Sequence, residues 1–446
     1  MVRTTDMTKG RPMPLLIRFS LPLVLTGILQ QLYTLCDSVI IGRLLGLEAF
    51  AVIGAAALAA WLPQSMFLGL AQGYGAVLAQ LFGAGDRAGF RRAKRIAALL
   101  SLAGAAVFGA VLAIFRYPLL DIINTPPELR EMTAQYLLII FAALPVDAMF
   151  NWAGSALRAA GDSNTPFRAL IVSSVTNIVL DYVLIRFFHA GVAGAALATV
   201  IAQLISVIIC VTVLQLRRPE FPQPTGARVQ GGLNRILTMG LPPLLRDGVI
   251  SAGGLFVQSV VNSYGVALVA GMAAAGRYFT LMNMAGGALE GAVATFSGQN
   301  TGAGLHGRVR RGTATAARLA LCTSVCTAIL TAIFAPQLIG FITGESDGEA
   351  LRLGVYALRC TSLFLPALYI LCLYRAALQG MGDSVTPMLS GFAEMAMRLI
   401  CVLLLPGAIG YTAACIADGT GWFAAALLIV GRYFYAIRKK AAAADD

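Results

Sequence analysis

Long apolar runs alternate along the chain with short clusters of glycine, proline and charge. Twelve such runs are bounded in this way, at 14–41, 47–81, 93–116, 133–158, 167–188, 191–216, 234–262, 265–299, 313–335, 350–379, 386–409 and 411–436. Most exceed the ~20 residues that carry a helix across a bilayer core. The pattern therefore predicts twelve transmembrane helices, the longer ones tilting, kinking at proline or projecting beyond the bilayer. Lysine and arginine fall 23 times in the ends and loops on one side of these spans. On the other side they fall 5 times, at Arg43, Arg116, Arg130, Arg186 and Arg352. Positive loops stay inside, so both termini are expected on the cytoplasmic side of the membrane.

Composition sharpens the picture. Of 446 residues, 58% are hydrophobic and 12% charged, against roughly 25% charged in a soluble domain. That excludes a soluble enzyme, a disordered scaffold and a nucleic-acid-binding domain. The net charge of +12 is explained by the basic loops and the anionic lipid they face. The eight cysteines form no CxxC, and both histidines, His189 and His306, lie far from them. We expect buried structural thiols and no metal centre. The basic N-terminus precedes an apolar run with no small-residue cleavage site, so the first helix is expected to be retained. Gly83-Ala84-Gly85 lacks the strand before it that a phosphate loop needs. No Walker lysine motif is present, so ATP drive is not expected, and neither is a cofactor.

The two halves of the chain repeat. Gln80, Gly83, Ala84, Gly85, Arg91 and Arg92 recur 219 residues later as Gln299, Gly302, Ala303, Gly304, Arg310 and Arg311. Leu21-Pro22 recurs as Leu241-Pro242, and Leu144-Pro145 as Leu365-Pro366. Gly161-Asp162-Ser163 and Thr165-Pro166 recur as Gly382-Asp383-Ser384 and Thr386-Pro387. Four motifs in order at a near-constant offset define an internal repeat. The expected fold class is an all-α integral membrane protein of twelve transmembrane helices. They form two six-helix lobes related by a pseudo-two-fold along the membrane normal, with a cavity between them. Residues 1–216 form the N-terminal lobe, 217–233 a cytoplasmic linker and 234–446 the C-terminal lobe.

Polar residues inside the spans carry the chemistry. Thr26, Gln30, Tyr33 and Asp37 fall at steps of 4, 3 and 4, on one face of the first helix. Pro22 removes a backbone hydrogen bond from that helix and is a candidate hinge. Asp147, Asn151 and Ser155 share a face of the fourth span, Asn177 and Asp181 of the fifth, and Thr199, Gln203 and Ser206 of the sixth. Charge in hydrocarbon is costly, so such residues face a bundle interior or a water-filled cavity. Three carboxylates with amide and hydroxyl neighbours make an oxygen-rich site that suits a hard cation such as Na⁺. A desolvated carboxylate cluster also suits proton binding near neutral pH. The second half differs. Asn177 maps to Arg398 and Asp181 to Val402, and Glu394 and Arg398 make an i,i+4 pair. Glu290 and the Arg246–Asp247 pair are read as cavity lining or ion pairs.

Pro22 and Asp37, Gln80-Leu-Phe-Gly-Ala-Gly85, the Arg-Ala-Ala-Gly-Asp-Ser-Asn-Thr-Pro run at 158–166 and the Asn177–Asp181 pair resemble the multidrug and toxic compound extrusion (MATE) family of bacterial secondary transporters. The resemblance covers roughly 14–436. It implies an antiporter in which inward H⁺ or Na⁺ drives export of organic, often cationic, compounds by alternating access. It places the cation site at Asp37, Asn177, Asp181 and Thr199, with Asn151 as a further member and Na⁺ held by Asp37, Asn177 and Asp181. Gln30, Tyr33, Asp147 and Glu290 are the candidate substrate-cavity residues. Family members with an acidic residue in the seventh or tenth helix are not matched well, since Asp247 sits beside Arg246 and 350–379 holds no buried carboxylate. The rival reading is a lipid-linked precursor flippase of the same superfamily, which needs a basic cavity. A membrane-embedded enzyme is disfavoured because no histidine lies inside the spans, and two bent repeats suit alternating access better than a fixed channel. A monomer is expected, since one chain carries both lobes.

Overall fold

The computed structural model describes residues 5–123, 125–216, 221–224, 229–344 and 347–445. Among them there is no strand. The helices are α1 (Pro12–Gly46), α2 (Glu48–Gly83), α3 (Arg87–Ile114), α4 (Arg116–Ile122), α5 (Pro127–Ala142), α6 (Leu144–Ala159), α7 (Asn164–Arg186) and α8 (Gly191–Leu216). They continue as α9 (Leu233–Asn262), α10 (Val266–Gly302), α11 (His306–Thr343), α12 (Glu349–Gly380), α13 (Val385–Leu404), α14 (Pro406–Ile409) and α15 (Thr412–Asp445). Ten are long and apolar enough to cross a membrane, and α5 with α6, bent by 42°, makes an eleventh. The 37-residue α10 covers the remaining run expected at 265–299 and is not among these eleven.

Helix ends follow local chemistry. The side chain of Asp86 accepts the backbone N–H of Gly89 at 2.8 Å and starts α3 six residues before the apolar run. Leu144-Pro145 breaks the expected 133–158 span into α5 and α6, because proline at the second helical position has no N–H to continue the preceding turn. The repeated Leu365-Pro366 does not break α12, which runs through Pro366. The helix also continues through Pro22, and α1 ends instead at Gly46 (φ 87°).

Other repeated motifs keep the same local job. Gly85 and Gly304 have φ of 73° and 75°, and Gly161 and Gly382 have 85° and 94°, values that disfavour any side chain. The Asp162 carboxylate accepts the backbone N–H of Thr165 at 2.9 Å, and Asp383 accepts that of Thr386 at 3.0 Å. Each caps the first turn of the helix that follows.

The chain divides into two compact units that do not follow chain order. Unit 1 is Met1–Asp6 with Leu25–Leu244, and unit 2 is Met7–Val24 with Leu245–Asp446. The lobes expected at 1–216 and 234–446 have thus exchanged their opening segments. Residues 217–220 and 225–228 of the expected linker lie outside the described residues. Packing explains the exchange. Met7, Leu16 and Phe19 are buried in the unit 2 core, while Ile236 and Met239 are buried in that of unit 1. The Met7 N–H donates to Gln299 Oε1 at 2.9 Å, and Met7 O accepts from Asn300 Nδ2 at 3.1 Å and Arg308 Nη2 at 3.0 Å. In unit 1, Gly73 of α2 lies against the backbone of Met239 and Gly240, an approach that any side chain at Gly73 would block.

All eight cysteines are free thiols. Cys210, Cys401 and Cys415 are buried, but Cys36, Cys322 and Cys326 are exposed, so the expectation of buried thiols fails for these three. They lie on apolar spans, where a small thiol is compatible with lipid as well as with a protein core.

Candidate functional site

Four helices of unit 1 bring the polar side chains read from the sequence to one cavity. The 3.6-residue period sets Gln30, Tyr33 and Asp37 on one face of α1 and Asn177 and Asp181 one turn apart on α7. From α8 come Thr199 and Gln203, and from α6 Asp147 and Asn151. Asp181 and Asn177 are fully buried, while Asp37, Tyr33, Thr199, Asp147, Asn151 and Gln203 are half-buried.

Two hydrogen-bonded groups make up the polar wall. In the first, the Asn177 amide, oriented by its surroundings, donates from Nδ2 to Asp181 Oδ2 at 2.9 Å. Its oxygen accepts the Thr199 backbone N–H at 3.2 Å. The Thr199 hydroxyl lies 3.4 Å from the Tyr33 hydroxyl and donates to Ala195 O at 3.1 Å. The carboxyls of Asp37 and Asp181 face each other within hydrogen-bonding reach. Asp37 Oδ1 and Asp181 Oδ1 are both buried, and no protein donor reaches either. In the second group, Asp147 accepts from Gln203 Nε2 at 2.7 Å and from Asn151 Nδ2 at 3.0 Å. Buried carboxylates are normally paired or fully hydrogen-bonded. Asp147 meets that rule through two amides. In the Asp37–Asp181 pair one oxygen of each carboxyl receives no protein donor.

The cavity has a volume of about 410 Å³ and is lined by Gln30, Tyr33 and Asp37 of α1. Asp147, Asn151, Asn177, Thr199 and Gln203 line it too, whereas the fully buried Asp181 is not a lining residue. Trp61, Gln64, Tyr136 and Phe150 are also part of the wall. Sequence reasoning missed these four. Trp61, Gln64 and Tyr136 come from α2 and α5, where no polar period marked a face, and Phe150 neighbours Asn151 on α6. Among the described residues, no group of three His, Cys, Asp or Glu side chains could hold a metal ion.

The remaining sequence candidates lie elsewhere. Pro22 falls in the α1 segment that belongs to unit 2. Glu290 sits in unit 2 within electrostatic range of Arg246, Arg375 and Asp247. The arginines around it are paired with acids. Arg246 bonds Asp247 at 2.8 Å, and Arg375 and Arg398 both bond Glu394 at 2.8 Å. Arg398 also reaches Asp418 at 2.7 Å. The expected i,i+4 pair of Glu394 and Arg398 is therefore present, within a larger buried network.

The family model described as MatE matches residues 22–183 and 248–405. The chain is 30% identical over 369 residues to the probable multidrug resistance protein YpnP of Bacillus subtilis, covering 82% of each sequence. It is 26% identical to the probable multidrug resistance protein NorM of Thermotoga maritima, covering 85% of this chain and 82% of that protein. Its fold is similar to that of a MATE crystal structure in the bent conformation, with a TM-score of 0.88, 21% identity and full coverage of both chains.

Proposed function

The chain belongs to the MatE family of multidrug transporters, and from that premise we propose that it exports organic, often cationic, compounds in antiport with H⁺ or Na⁺. An efflux transporter of this family is a multi-pass membrane protein of bacterial cells, and its relatives are transporters rather than enzymes. The observation that carries the finer reading is the Asp37–Asp181 pair, with one buried oxygen on each carboxyl that receives no protein donor. Two adjacent carboxylates repel, and one proton shared between them, or one Na⁺, removes that repulsion. Asn177 then fixes the geometry of Asp181, and Thr199 that of Tyr33.

The same α1 face carries the coupling carboxylate and the cavity wall. An organic cation held over Tyr33, Trp61 and Tyr136 by cation–π attraction would lie in the same cavity as Asp37 and is favoured by its negative charge. Loading Asp37 with a proton or Na⁺ removes that attraction. Linkage is reciprocal, so the substrate weakens coupling-ion binding by the same factor. Bending of α1 at Pro22, whose ring leaves one turn without its hydrogen bond, would move the Gln30–Asp37 face relative to the start of the helix. Ion loading and cavity shape are coupled through that bend. A monomer suffices, because the carboxylates and the cavity wall all come from one chain.

A lipid-linked precursor flippase is disfavoured. It needs free guanidinium groups for pyrophosphate, and Arg246, Arg375 and Arg398 are engaged by Asp247, Glu394 and Asp418. The test is efflux of a fluorescent organic cation from proteoliposomes under a pH gradient and, separately, a Na⁺ gradient. Wild-type protein should respond to at least one gradient, which names the ion, and Asp37→Asn should lose that response. Efflux unresponsive to both gradients would sink the antiporter reading. Coupling preserved in Asp37→Asn would move the ion site elsewhere.

A further inference from the structure

Outside the carboxylate cavity, unit 2 holds a pocket of about 430 Å³ between its N-terminal segment and α11. Four arginines line it, Arg11, Arg308, Arg311 and Arg318, and none of its described lining residues is acidic. Arg308 is committed to structure. It donates to Met7 O and Lys9 O, at 3.0 and 2.8 Å, and so fixes the segment that carries Arg11. Arg11, Arg311 and Arg318 are exposed, and none forms an ion pair among the described residues. Three like charges around one pocket repel each other, and an anion bound among them relieves that repulsion.

The same face of α11 turns apolar immediately below the pocket. Arg311, Ala314, Arg318, Leu321 and Val325 follow at steps of 3, 4, 3 and 4, one continuous stripe. Leu321 is 48% exposed and Val325 39%. Leu321 also opens a second concavity of about 490 Å³, walled by α12 and α15 through Phe364, Ala367, Ile370, Leu427 and Val430. Its lining contains no polar side chain. Three residues of helix rise separate Arg318 from Leu321, about 4.5 Å along the axis. A cationic pocket that passes within one turn into an apolar groove has the polarity sequence of a single phospholipid.

We propose that unit 2 binds one anionic phospholipid, its phosphate among Arg11, Arg311 and Arg318 and an acyl chain in the groove beside Leu321. Basic pockets at the end of transmembrane helices hold anionic headgroups in this way. The leaflet is the one facing the arginine-rich loops. The proposal is independent of the ion or substrate carried by unit 1. It explains a charge cluster that the transport cycle above leaves unused.

The test uses the full-length protein, stripped of lipid in detergent and titrated with phosphatidylglycerol or with phosphatidylcholine of identical chains. Bound lipid is read by native mass spectrometry. A Phe423→Trp reporter in the groove is read by quenching with phosphatidylglycerol brominated on its chains. Wild-type protein should retain one phosphatidylglycerol in preference to phosphatidylcholine, with quenching of the introduced tryptophan. Arg311→Gln with Arg318→Gln should bind it about tenfold or more weakly. Arg91→Gln with Arg92→Gln, which removes the same charge from exposed residues of unit 1, should bind as wild type does. These arginines are exposed, so folding is not at stake. Equal retention of the two lipids overturns the proposal, as does unchanged phosphatidylglycerol binding in the Arg311/Arg318 variant. Displacement of the lipid by millimolar inorganic phosphate, without tryptophan quenching, would make the pocket a free-anion site and overturn it as well.

Discussion

Asn177 serves two helices at once. Its amide donates to Asp181 Oδ2 and accepts from the Thr199 backbone, so it joins α7 to α8 at the point where the buried acid sits. Removing such a group from a buried network leaves both partners unsatisfied, at about 1–3 kcal/mol. Asn177→Ala should therefore lower ion-coupled efflux about tenfold with the protein still present in the membrane, measured by efflux alongside the amount inserted. A variant that transports normally would show that Asp181 needs no partner. Asp147 offers the contrast. Two amides already satisfy it, which suits a wall residue better than an exchange site. Asp37 and Asp181 were legible as intramembrane charges on periodic faces, and so was Asn177. That the two carboxyls meet was not legible, because nothing along the chain encodes the distance between a residue of the first span and one of the fifth.

At the scale of the element, a single glycine decides where α9 begins its packing. Gly73 has the backbone of Met239 and Gly240 directly where a side chain would project, whereas Gly54 on the same helix faces open space. Gly73→Val should destabilise unit 1 by about 1–3 kcal/mol through overpacking, seen as a lowered midpoint in thermal unfolding. Gly54→Val should leave that midpoint unchanged. Equal effects would mean that helix propensity and not close approach is at work. Apolar period and turn residues located the helices, but several were drawn short: the run at 93–116 begins at Arg87, and that at 313–335 extends from His306 to Thr343. The break at Ala143 escaped them, since Leu144-Pro145 and Leu365-Pro366 read alike and only the first divides its helix. Tertiary packing around each proline settles that outcome, and a dipeptide does not contain it.

For the whole molecule, the exchanged segments set the terms. The repeat announced two halves, and a boundary at the linker was the natural reading. Nothing in 7–24 or 229–244 signals that each packs with the half that does not contain it, because both are ordinary apolar helix starts. A prediction follows for a split chain. Fragments 1–226 and 227–446 expressed together should co-purify as one complex, since each carries a segment belonging to the other's unit. Either fragment alone should be degraded or aggregate. Independent folding of the separate fragments, judged by monodisperse elution of each, would refute the exchange.

The exchange also has a timetable. Met7 docks on Gln299, 292 positions later in the chain. At about 5–20 residues per second of synthesis, that partner is made about 15–60 s after Met7 itself. Throughout that interval the opening of α1 is inserted without the core that will bury Phe19, while unit 1 waits for Ile236 and Met239 to close its own. The first residues made are among the last to settle. Membrane insertion of this chain must therefore keep an unfinished N-terminus in reserve until the second repeat is well under way.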